Sequence, residues 1–460
     1  MSFRFLHTAD VHLDSPLRSL SLRDAEAGRT IANATRQSFA RIVDLCLEEQ
    51  VDALLIAGDL YDGDLRSMKT AAFLTGQMRR LTDAGIAVCL IQGNHDAASV
   101  VTRDLAWPEG VFQFPPDGGT VALQDGRVAV HGVSFARPQA PQSLLPVYPA
   151  PVAGALNVGL LHTSLAGSAE HDTYAPCALA DLLAHGYDYW ALGHIHKRMV
   201  HAETPVAVVM PGIPQGRHIN EAGVKTVTLA EIDDDGRTRL AERVVSLAQF
   251  ERVAVDVDGL NHWSVLPDRL EAALATARAG VAADNLVARV TLTGATDLAG
   301  RLVRDADLVV AELAEAARRV GGVLIDRLDN RTEPAGCEEG AVETKAAAGG
   351  LPLAELRALV RTTGAGRERV AAEIAALAAN LQRKLPPEVR DGLIDPDADD
   401  PAGAYLDAGA EAVLARLTAQ GLAETDPGED RGTEDGTGDG TRDGAEDGVD
   451  AGVGGGGGRA

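Results

Sequence analysis

The chain has 460 residues, a formal net charge of −25 and four cysteines. This length predicts two or three domains, and no apolar run reaches the roughly 18 residues that a membrane-spanning helix needs. The strong negative charge argues against nonspecific nucleic-acid binding through a broad basic face.

In the first half of the chain, five apolar runs are each followed by a short polar motif. Such runs are typical of parallel strands buried on both faces. They are Phe3 to Leu6, Ala53 to Ala57, Ile86 to Ile91, Val158 to Leu161 and Tyr189 to Leu192. The motifs that follow are Asp10-Val11-His12, Gly58-Asp59, Gly93-Asn94-His95-Asp96, His162 and Gly193-His194-Ile195-His196. Because ligands collect at the carboxyl ends of parallel strands, we expect these motifs to share one crevice.

The side chains of the five motifs make a ligand set for two metal ions. Carboxylate, imidazole and amide oxygen suit Mn²⁺, Fe or Zn²⁺ better than Ca²⁺ or Cu(I). Alone, an Asp-x-His or Gly-Asn-His motif is best explained as a turn or a satisfied core histidine. Five motifs in this order argue against coincidence and indicate a phosphoesterase site.

The motif set resembles the calcineurin-like metallophosphoesterase superfamily, and within it the SbcD-type DNA repair exonucleases and their YhaO-like branch. The resemblance covers about residues 1–330 and its motifs are specific. The likeness to the branch rests on Asp10-Val11-His12-Leu13-Asp14-Ser15-Pro16, Ala57-Gly58-Asp59-Leu60-Tyr61-Asp62-Gly63, Tyr174-Ala175-Pro176-Cys177 and Gln215-Gly216-Arg217-His218-Ile219-Asn220-Glu221.

The resemblance implies how the ligands are shared between two divalent ions, with Mn²⁺ preferred and Fe or Zn²⁺ as alternatives. One ion would take Asp10, His12 and His196. The other would take Asn94, His162 and His194. The Asp59 carboxylate would bridge them, since a shared anion offsets the repulsion between cations about 3.5–4 Å apart.

His95 is not needed as a ligand and follows Asn94 directly. We expect it to protonate the leaving alkoxide or to bind the phosphoryl oxygen. Two interpretations of Asp96 stay open. It orients His95 as a second catalytic residue, or it caps a helix that begins before Ala97.

Loop residues supply the candidates for contact with substrate. Arg217 and His218 are predicted to bind the phosphate, and His171 is a further candidate, although a lone loop Arg or His is more often only solvated. Asp62 stands where nuclease members of the family often carry a histidine. An imidazole that could position DNA is therefore missing there. Its absence weakens the prediction of an exonuclease more than the prediction of a phosphodiester hydrolase.

Four further polar residues receive structural interpretations. Asp14 is a candidate support for the metal ligands, whereas Asp64 is assigned to a solvated loop. His7 and His131 lie inside apolar strands and are predicted to be core histidines with satisfied hydrogen bonds.

We predict an α/β fold, a four-layer α/β/β/α metallophosphoesterase sandwich with a small α/β cap domain and a helical C-terminal segment. Runs at Val206 to Met210, Val224 to Ile232 and Arg239 to Val245 are expected in the second sheet of the sandwich. The predicted domains are 1–247 (calcineurin-like), 248–335 (cap), 351–421 (helical segment) and 426–460 (disordered acidic, Gly-rich tail).

The helical segment has an apolar edge formed by Val370, Ile374, Leu377, Leu381 and Leu385. This edge either packs on the chain's own domains or docks an SbcC-like coiled-coil ATPase, the partner that the resemblance implies. The chain has no Walker-type phosphate loop, so any ATP dependence would come from such a partner. A homodimer stays open, and no membrane partner is expected.

The cysteines and the first residues predict a cytoplasmic protein. The cysteines form no Cys-x-x-Cys pair, and Cys46 and Cys89 fall in apolar segments, which predicts reduced, buried thiols. A predicted strand begins at Phe3, which leaves no room for a charged and then apolar secretion signal.

Two function classes stay open: a Mn²⁺-dependent DNA exonuclease subunit, and a phosphodiesterase or phosphomonoesterase for small molecules. A non-catalytic scaffold is disfavoured because His95 is retained. The negative charge counts against DNA, although residues 426–460 alone hold ten acidic and three basic side chains. Arg79-Arg80, Lys197-Arg198 and Arg217-His218 are candidates for a local basic rim.

Overall fold

The computed structural model describes residues 2–15, 31, 33–61, 68–98, 106–165, 174–335 and 364–384, with single positions at 406, 409, 410 and 413. The predicted tail and most of the predicted helical segment lie outside these residues, as do Asp62, Asp64 and His171. The predicted α/β sandwich is confirmed. The predicted domain bounds stay a prediction.

Among the described residues, six strands form the first sheet. They are β1 (Phe3–Thr8), β2 (Ala53–Ala57), β3 (Ala87–Ile91), β4 (Val111–Gln113), β11 (Thr226–Ile232) and β12 (Thr238–Val244). Their order is β12-β11-β1-β2-β3-β4, with β1 to β4 parallel and β11 antiparallel to both of its neighbours. The four parallel strands point their carboxyl ends to one edge, which is where the first three motifs lie.

The second sheet also has six strands in the part of the chain that the structure describes. They are β5 (Gly119–Leu123), β6 (Val128–Gly132), β7 (Leu156–His162), β8 (Tyr189–Gly193), β9 (Met199–Ala202) and β10 (Ala207–Met210). Their order is β5-β6-β7-β8-β10-β9. The strands β6, β7, β8 and β10 are parallel, whereas β5 and β9 are antiparallel edge strands.

Two of the predicted strands occupy a different sheet from the one expected. Val224 to Ile232 and Arg239 to Val245 were assigned to the second sheet, but β11 and β12 extend the first sheet beside β1. That part of the prediction is wrong. An apolar run reports that a strand is buried, and it does not report which neighbour pairs with it.

Apolar side chains fill the three spaces between the four layers. Helices α1 (Ala34–Glu48) and α2 (Met68–Asp83) cover the outer face of the first sheet, and α3 (Asn94–Ala98) follows β3. A second cluster, with Phe5 and Leu160, separates the sheets. Helix α4 (Leu179–Ala184) covers the second sheet through Leu182, which packs with Trp190.

The cap consists of one sheet and one layer of helices. Its parallel sheet, in the order β13-β14-β15, is formed by β13 (Ala248–Asp256), β14 (Asn285–Thr296) and β15 (Val323–Pro334). Its helices are α5 (Leu266–Ala279), α6 (Ala299–Arg304) and α7 (Ala306–Val320). Leu270 and Leu313 from the helices pack on Val253 and Val290 of the sheet.

The cap is joined to the sandwich by a buried glutamine. Gln215 is fully buried, and its side-chain oxygen accepts from the backbone N–H of Leu247 and Ala248 at 2.8 and 3.2 Å. Its amide donates to the carbonyls of Gly216 and Ala248 at 2.8 and 2.9 Å. The first residues of β13 are thereby fixed to the loop that carries Arg217.

Candidate metal centre

The predicted ligands lie where strands of both sheets end on the same side of the sandwich. Asp10 N donates to Gly58 O and His12 N donates to Asp59 O, each at 3.0 Å, so the first two ligand loops run side by side. Asp10, His12 and Asp59 all have left-handed backbones, with φ of 52, 45 and 51°. Such strain in residues other than glycine is concentrated at functional sites, where the surrounding structure holds it.

Gly93 makes room for the ligands on the neighbouring loop. A Cβ at this position would lie 2.3 Å from Asp59 Oδ1 and 2.8 Å from His162 Nε2. Any side chain here would displace the carboxylate or the imidazole. The Gly-Asn-His motif therefore needs its glycine for the close approach of the two loops.

The first predicted ligand set is assembled. One ligand atom from each of Asp10, His12 and His196 lies within 4.8 Å of the others. His12 Nε2 and His196 Nε2 are 3.2 Å apart, so both imidazoles point to the same place. Asp10 and His12 are fully or almost fully buried, and burial raises the pKa of Asp10 and lowers that of His12.

The second predicted set lies beside it. His162 Nε2 is 3.1 Å from Asn94 Oδ1, and the ring centres of His162 and His194 are 5.1 Å apart. His162 Nδ1 donates to Ala57 O at 2.9 Å, which directs Nε2 toward Asn94. His194 N donates to both Asp10 oxygens, at 3.1 and 2.9 Å, and so connects the two sets.

Asp59 lies between the two sets. Its Oδ2 is 4.0 Å from His12 Nε2 and 3.4 Å from His162 Nε2, while its Oδ1 accepts from His95 N at 3.0 Å. Burial by itself raises the pKa of Asp59, but the surrounding histidines hold it well below its usual range. Burial likewise lowers the pKa of His162, yet Asp59 outweighs it and raises that pKa to about 9. The pocket thus favours positive charge.

The donor set fits divalent cations. Within the described ranges, three overlapping groups of His and Asp atoms come within 4.8 Å, and Asp59 or Asp10 takes part in each of them. Nitrogen and carboxylate donors without a cysteine suit Mn²⁺, Fe or Zn²⁺. The residues present can therefore hold two divalent ions.

His95 and Asp96 occupy different surroundings. The His95 ring centre is 4.8 Å from that of His12, and His95, His12 and Asp59 form one of the three groups. The Asp96 carboxylate accepts from the backbone N–H of Tyr61, Gly93 and Leu60 at 2.9, 3.0 and 3.2 Å. Burial and the nearby Asp59 raise its pKa to about 6. Asp96 fixes the backbone of two loops, and its role in orienting His95 stays a prediction.

Glu221, which the sequence motifs did not single out as a site residue, connects Arg217 and His218 to the proposed ligand His196. Glu221 is buried, and its carboxylate accepts from His196 Nδ1 at 2.7 Å, from Arg217 Nη2 at 3.0 Å and from Arg217 N at 2.7 Å. His218 Nε2 lies 3.6 Å from the same carboxylate, with 44% of its side chain exposed. The sequence signal that could have identified Glu221 is its place at the end of the Gln215–Glu221 motif.

Other predicted polar residues have structural partners. Arg36 and Thr70 both donate to the Asp14 carboxylate, which joins the end of β1 to α1 and α2. His7 bonds Tyr189 Oη at 3.1 Å and Leu192 O at 3.0 Å. His131 bonds Thr120 and Asn157, so both core-histidine predictions are confirmed.

The basic rim stays a prediction, and two of its arginines have partners within the chain. Arg198 lies 3.0 Å from Glu242 and also donates to Thr228, and Arg80 pairs with Asp44 at 2.7 Å. These guanidinium groups are engaged by the chain itself. Arg217 is the arginine of the predicted rim that lies beside the metal ligands.

Comparison with known families agrees with this geometry. Residues 3–198 match the calcineurin-like phosphoesterase family, and residues 250–333 match the middle domain of the metallophosphoesterase YhaO. The chain belongs to the calcineurin-like phosphoesterase family. The predicted superfamily and YhaO-like branch are confirmed.

Three relatives illustrate the likeness. YhaO of Bacillus subtilis is 35% identical over 271 residues, covering 58% of this chain and 66% of the relative. The DNA double-strand break repair protein Mre11 of Aeropyrum pernix is 28% identical over 302 residues, covering 60% and 69%. A component of the nuclease SbcCD of Rhodobacter capsulatus is 36% identical over 112 residues, covering 24% of each. The chain spans just under two thirds of the YhaO relative.

No helix in the described part of the chain is both long and apolar enough to cross a membrane.

Proposed function

We propose that this chain is a metal-dependent phosphodiester hydrolase, the DNA exonuclease subunit of a repair complex with an SbcC-like coiled-coil ATPase. The position of Asp59 supports the hydrolase most directly. Its Oδ2 lies 4.0 Å from His12 Nε2 and 3.4 Å from His162 Nε2, atoms of two different predicted ligand sets. A carboxylate between two imidazole sets suits a bridged pair of divalent ions.

The proposed ligands are the seven residues of the motifs. One ion is held by Asp10, His12 and His196, the other by Asn94, His162 and His194, with Asp59 shared. Mn²⁺ is the proposed metal. Two such ions, when bound, would activate a water and offset charge on the entering and leaving oxygens of a phosphodiester.

His95 is the proposed general acid. Its ring lies next to that of His12, its backbone N–H donates to Asp59, and a ring nitrogen lies within 4.8 Å of ligand atoms of His12 and Asp59. From there it donates a proton to the leaving alkoxide. Asp96 fixes the loop after β2 and the loop that carries His95 through its three backbone hydrogen bonds.

Arg217 is the proposed phosphate ligand. Its side chain is only 16% exposed and is fixed by Glu221, so the guanidinium faces the site at little cost in conformational freedom. His218, more exposed and in the same loop, is the proposed second contact at the rim.

The names of the relatives support DNA as the substrate, because Mre11 is a DNA double-strand break repair protein and the Rhodobacter capsulatus relative belongs to a nuclease. Helix α8 (Gly364–Lys384) supports a protein partner. Val370 and Leu377 on its predicted apolar edge are 41% and 61% exposed. An exposed apolar edge of this kind is suited to a groove or a coiled coil.

A small phosphodiester or phosphomonoester is the second candidate substrate. The net charge of −25 favours it, because a small anion with one or two charges experiences less repulsion from an acidic surface than a long DNA strand does. The two candidates share the site and differ in what lies around it.

The test is hydrolysis by the purified full-length chain in Mn²⁺, on linear DNA, closed circular DNA, cyclic nucleotides and an aryl phosphodiester. We expect nucleotide release from linear DNA, no release from closed circles because they have no ends, and stimulation by the cognate ATPase with ATP. Asp59→Asn is the matched control, since it removes the bridge and reveals contaminating nuclease.

Two results would contradict the proposal. Cyclic nucleotides hydrolysed far faster than DNA, with and without the ATPase, would favour the small-molecule enzyme. Hydrolysis of none of the four substrates would reject the phosphodiesterase itself.

A further inference from the structure

The outer edge of the cap sheet is a long strand without a neighbour among the described residues. β15 runs for 12 residues, Val323–Pro334, and pairs with β14 along one side. In the sheet order β13-β14-β15 it is the last strand. A free edge of this length is a template for pairing with another strand.

The backbone groups of β15 alternate between β14 and the free edge. Ala335 N donates to Thr296 O beside β14, whereas Thr332 N donates to the side chain of Asn330 at 3.0 Å. Residues of even number, from Leu328 to Thr332, therefore direct their N–H and C=O groups outward. The Asn330 side chain occupies one of these outward donors when no strand is present.

Charged side chains alternate in sign along one face of this strand. In order they are Arg327, Asp329, Arg331 and Glu333. Leu328, at the opposite parity, packs on the cap helices, so the charged row lies on the face that the helices do not cover. Arg327 and Asp329 form an ion pair at 2.5 Å.

The charges of this row are complementary to those of the same row in a second strand that runs in the opposite direction. In an antiparallel pair of two β15 strands centred on Asn330, Arg327 faces Glu333 of the second copy. Asp329 faces Arg331 of the second copy, and symmetry repeats both pairs. The outward backbone groups of Asn330 then meet their own symmetry mates as a hydrogen-bonded pair, and the charged residues occupy the closer, non-hydrogen-bonded positions.

Neighbouring registers are disfavoured by like charges. A slip of two residues in one direction places Arg331 opposite itself and Asp329 opposite Glu333. A slip in the other direction places Asp329 opposite itself and Arg327 opposite Arg331. The charge pattern thus specifies one register among those that the backbone permits.

We propose that two copies of this chain pair through antiparallel β15 edges centred on Asn330, which joins two cap sheets into one six-stranded sheet. The occupant of the edge is a second copy because the charge row matches its own reverse. The contact is small, so the dimer forms at micromolar concentration and is weakened by salt.

The test is analytical ultracentrifugation of the full-length chain from low to high micromolar concentration. The wild-type chain is expected to shift from monomer to dimer. Asp329→Arg alone and Arg331→Asp alone each create two like-charge pairs and are expected to weaken the dimer about tenfold. Mixed together, the two variants regain opposite charges at both positions and are expected to dimerise as the wild type does.

A disulfide test locates the axis. Asn330→Cys, in a chain with Cys337→Ser, places two sulfurs at the centre, where Cα atoms of a hydrogen-bonded pair are about 5.5 Å apart and within disulfide reach. Thr332→Cys is the matched control, since the cysteine of each copy then faces Leu328 of the other copy and not a second cysteine. A monomeric wild type at high concentration, equal dimerisation of the single variants, failure of the mixture, or cross-linking through Thr332→Cys alone would each overturn the proposal.

Discussion

His95 differs from the other motif histidines because a ligand role is not required of it. Its ring lies beside His12, and its main chain is fixed by Asp59. A group in this position changes the chemistry without being needed to retain the metals.

We predict that His95→Ala keeps both metals but slows hydrolysis of substrates with poor leaving groups by about 10²–10⁴. An activated aryl ester leaves without much protonation and should lose less. The measurement is kcat on an alkyl and an aryl phosphodiester together with metal content. Equal losses on both substrates would assign His95 to charge stabilisation instead of proton donation.

Glu221 fixes the orientation of the proposed metal ligand His196 through a hydrogen bond to the ring nitrogen that does not face the site. Its carboxylate accepts from His196 Nδ1 at 2.7 Å, which leaves Nε2 to face His12. Carboxylates in this position increase the basicity of the imidazole and restrict its rotation.

We predict that Glu221→Gln weakens Mn²⁺ binding about 10- to 100-fold, measured by calorimetric titration. His218→Ala is the control, because His218 is exposed and only approaches the same carboxylate at 3.6 Å. Unchanged affinity in Glu221→Gln, or an equal loss in the control, would remove Glu221 from the support of the metal centre.

The motifs in the sequence name side chains that the structure brings close together, but they do not show what holds these side chains in place. Carboxylates and histidines at strand ends have a recognisable spacing, so all seven predicted ligands are brought together. Glu221 ends a quoted motif whose pattern does not show its partners, and Arg36 lies in no motif. Their roles depend on contacts between residues far apart in the chain, such as Arg36 with Asp14.

Among the elements, strands that carry motifs were easiest to predict. β2 was predicted at its observed bounds, and β1, β3, β7 and β8 within about two residues at either end. The prediction failed for the sheet to which β11 and β12 belong, because pairing is decided by packing between distant segments. The short edge strands β4, β5 and β9 lack a strong apolar run and were not predicted.

The junction between sandwich and cap depends on Gln215, whose four hydrogen bonds are all buried. We predict that Gln215→Leu lowers the free energy of unfolding by about 2–4 kcal/mol, because backbone groups of Leu247 and Ala248 lose their partners in a dry environment. Chemical denaturation measures this loss.

Gln249→Leu is the control for that prediction. Gln249 is nearly as buried, yet its amide donates to Glu251 alone, at 2.6 Å. It should cost about 1 kcal/mol. If Gln215→Leu lowers the free energy of unfolding no more than Gln249→Leu does, Gln215 does not stabilise the junction between sandwich and cap.

Helix α8 leads to a prediction about the partner. Leu377→Glu places a charge on the exposed apolar edge and should abolish co-purification with the cognate ATPase and any ATP-stimulated DNA degradation, while aryl-ester hydrolysis stays unchanged. Ala379→Glu, about 200° around the helix, is the control. Truncation after Gly336 should match Leu377→Glu, and binding that survives either change would contradict docking by this helix.

For the molecule as a unit, charge and metal content are linked. Asp10 and Asp59 lie buried together in the ligand pocket. Two buried carboxylates are stable side by side only when positive charge lies nearby. The imidazoles supply part of that charge, as the raised pKa of His162 indicates. Two divalent ions would supply more.

Metal content of the full-length chain, reconstituted with Mn²⁺ and compared with Asp59→Asn, tests the two-metal site most directly. The wild type should hold two equivalents, and Asp59→Asn should lose occupancy at both positions with hydrolysis reduced by several orders of magnitude. Asp14→Asn, which changes a carboxylate in the loop of Asp10 and His12 that is paired with Arg36, should keep two equivalents. Two equivalents and wild-type turnover in Asp59→Asn would contradict a bridged two-metal centre.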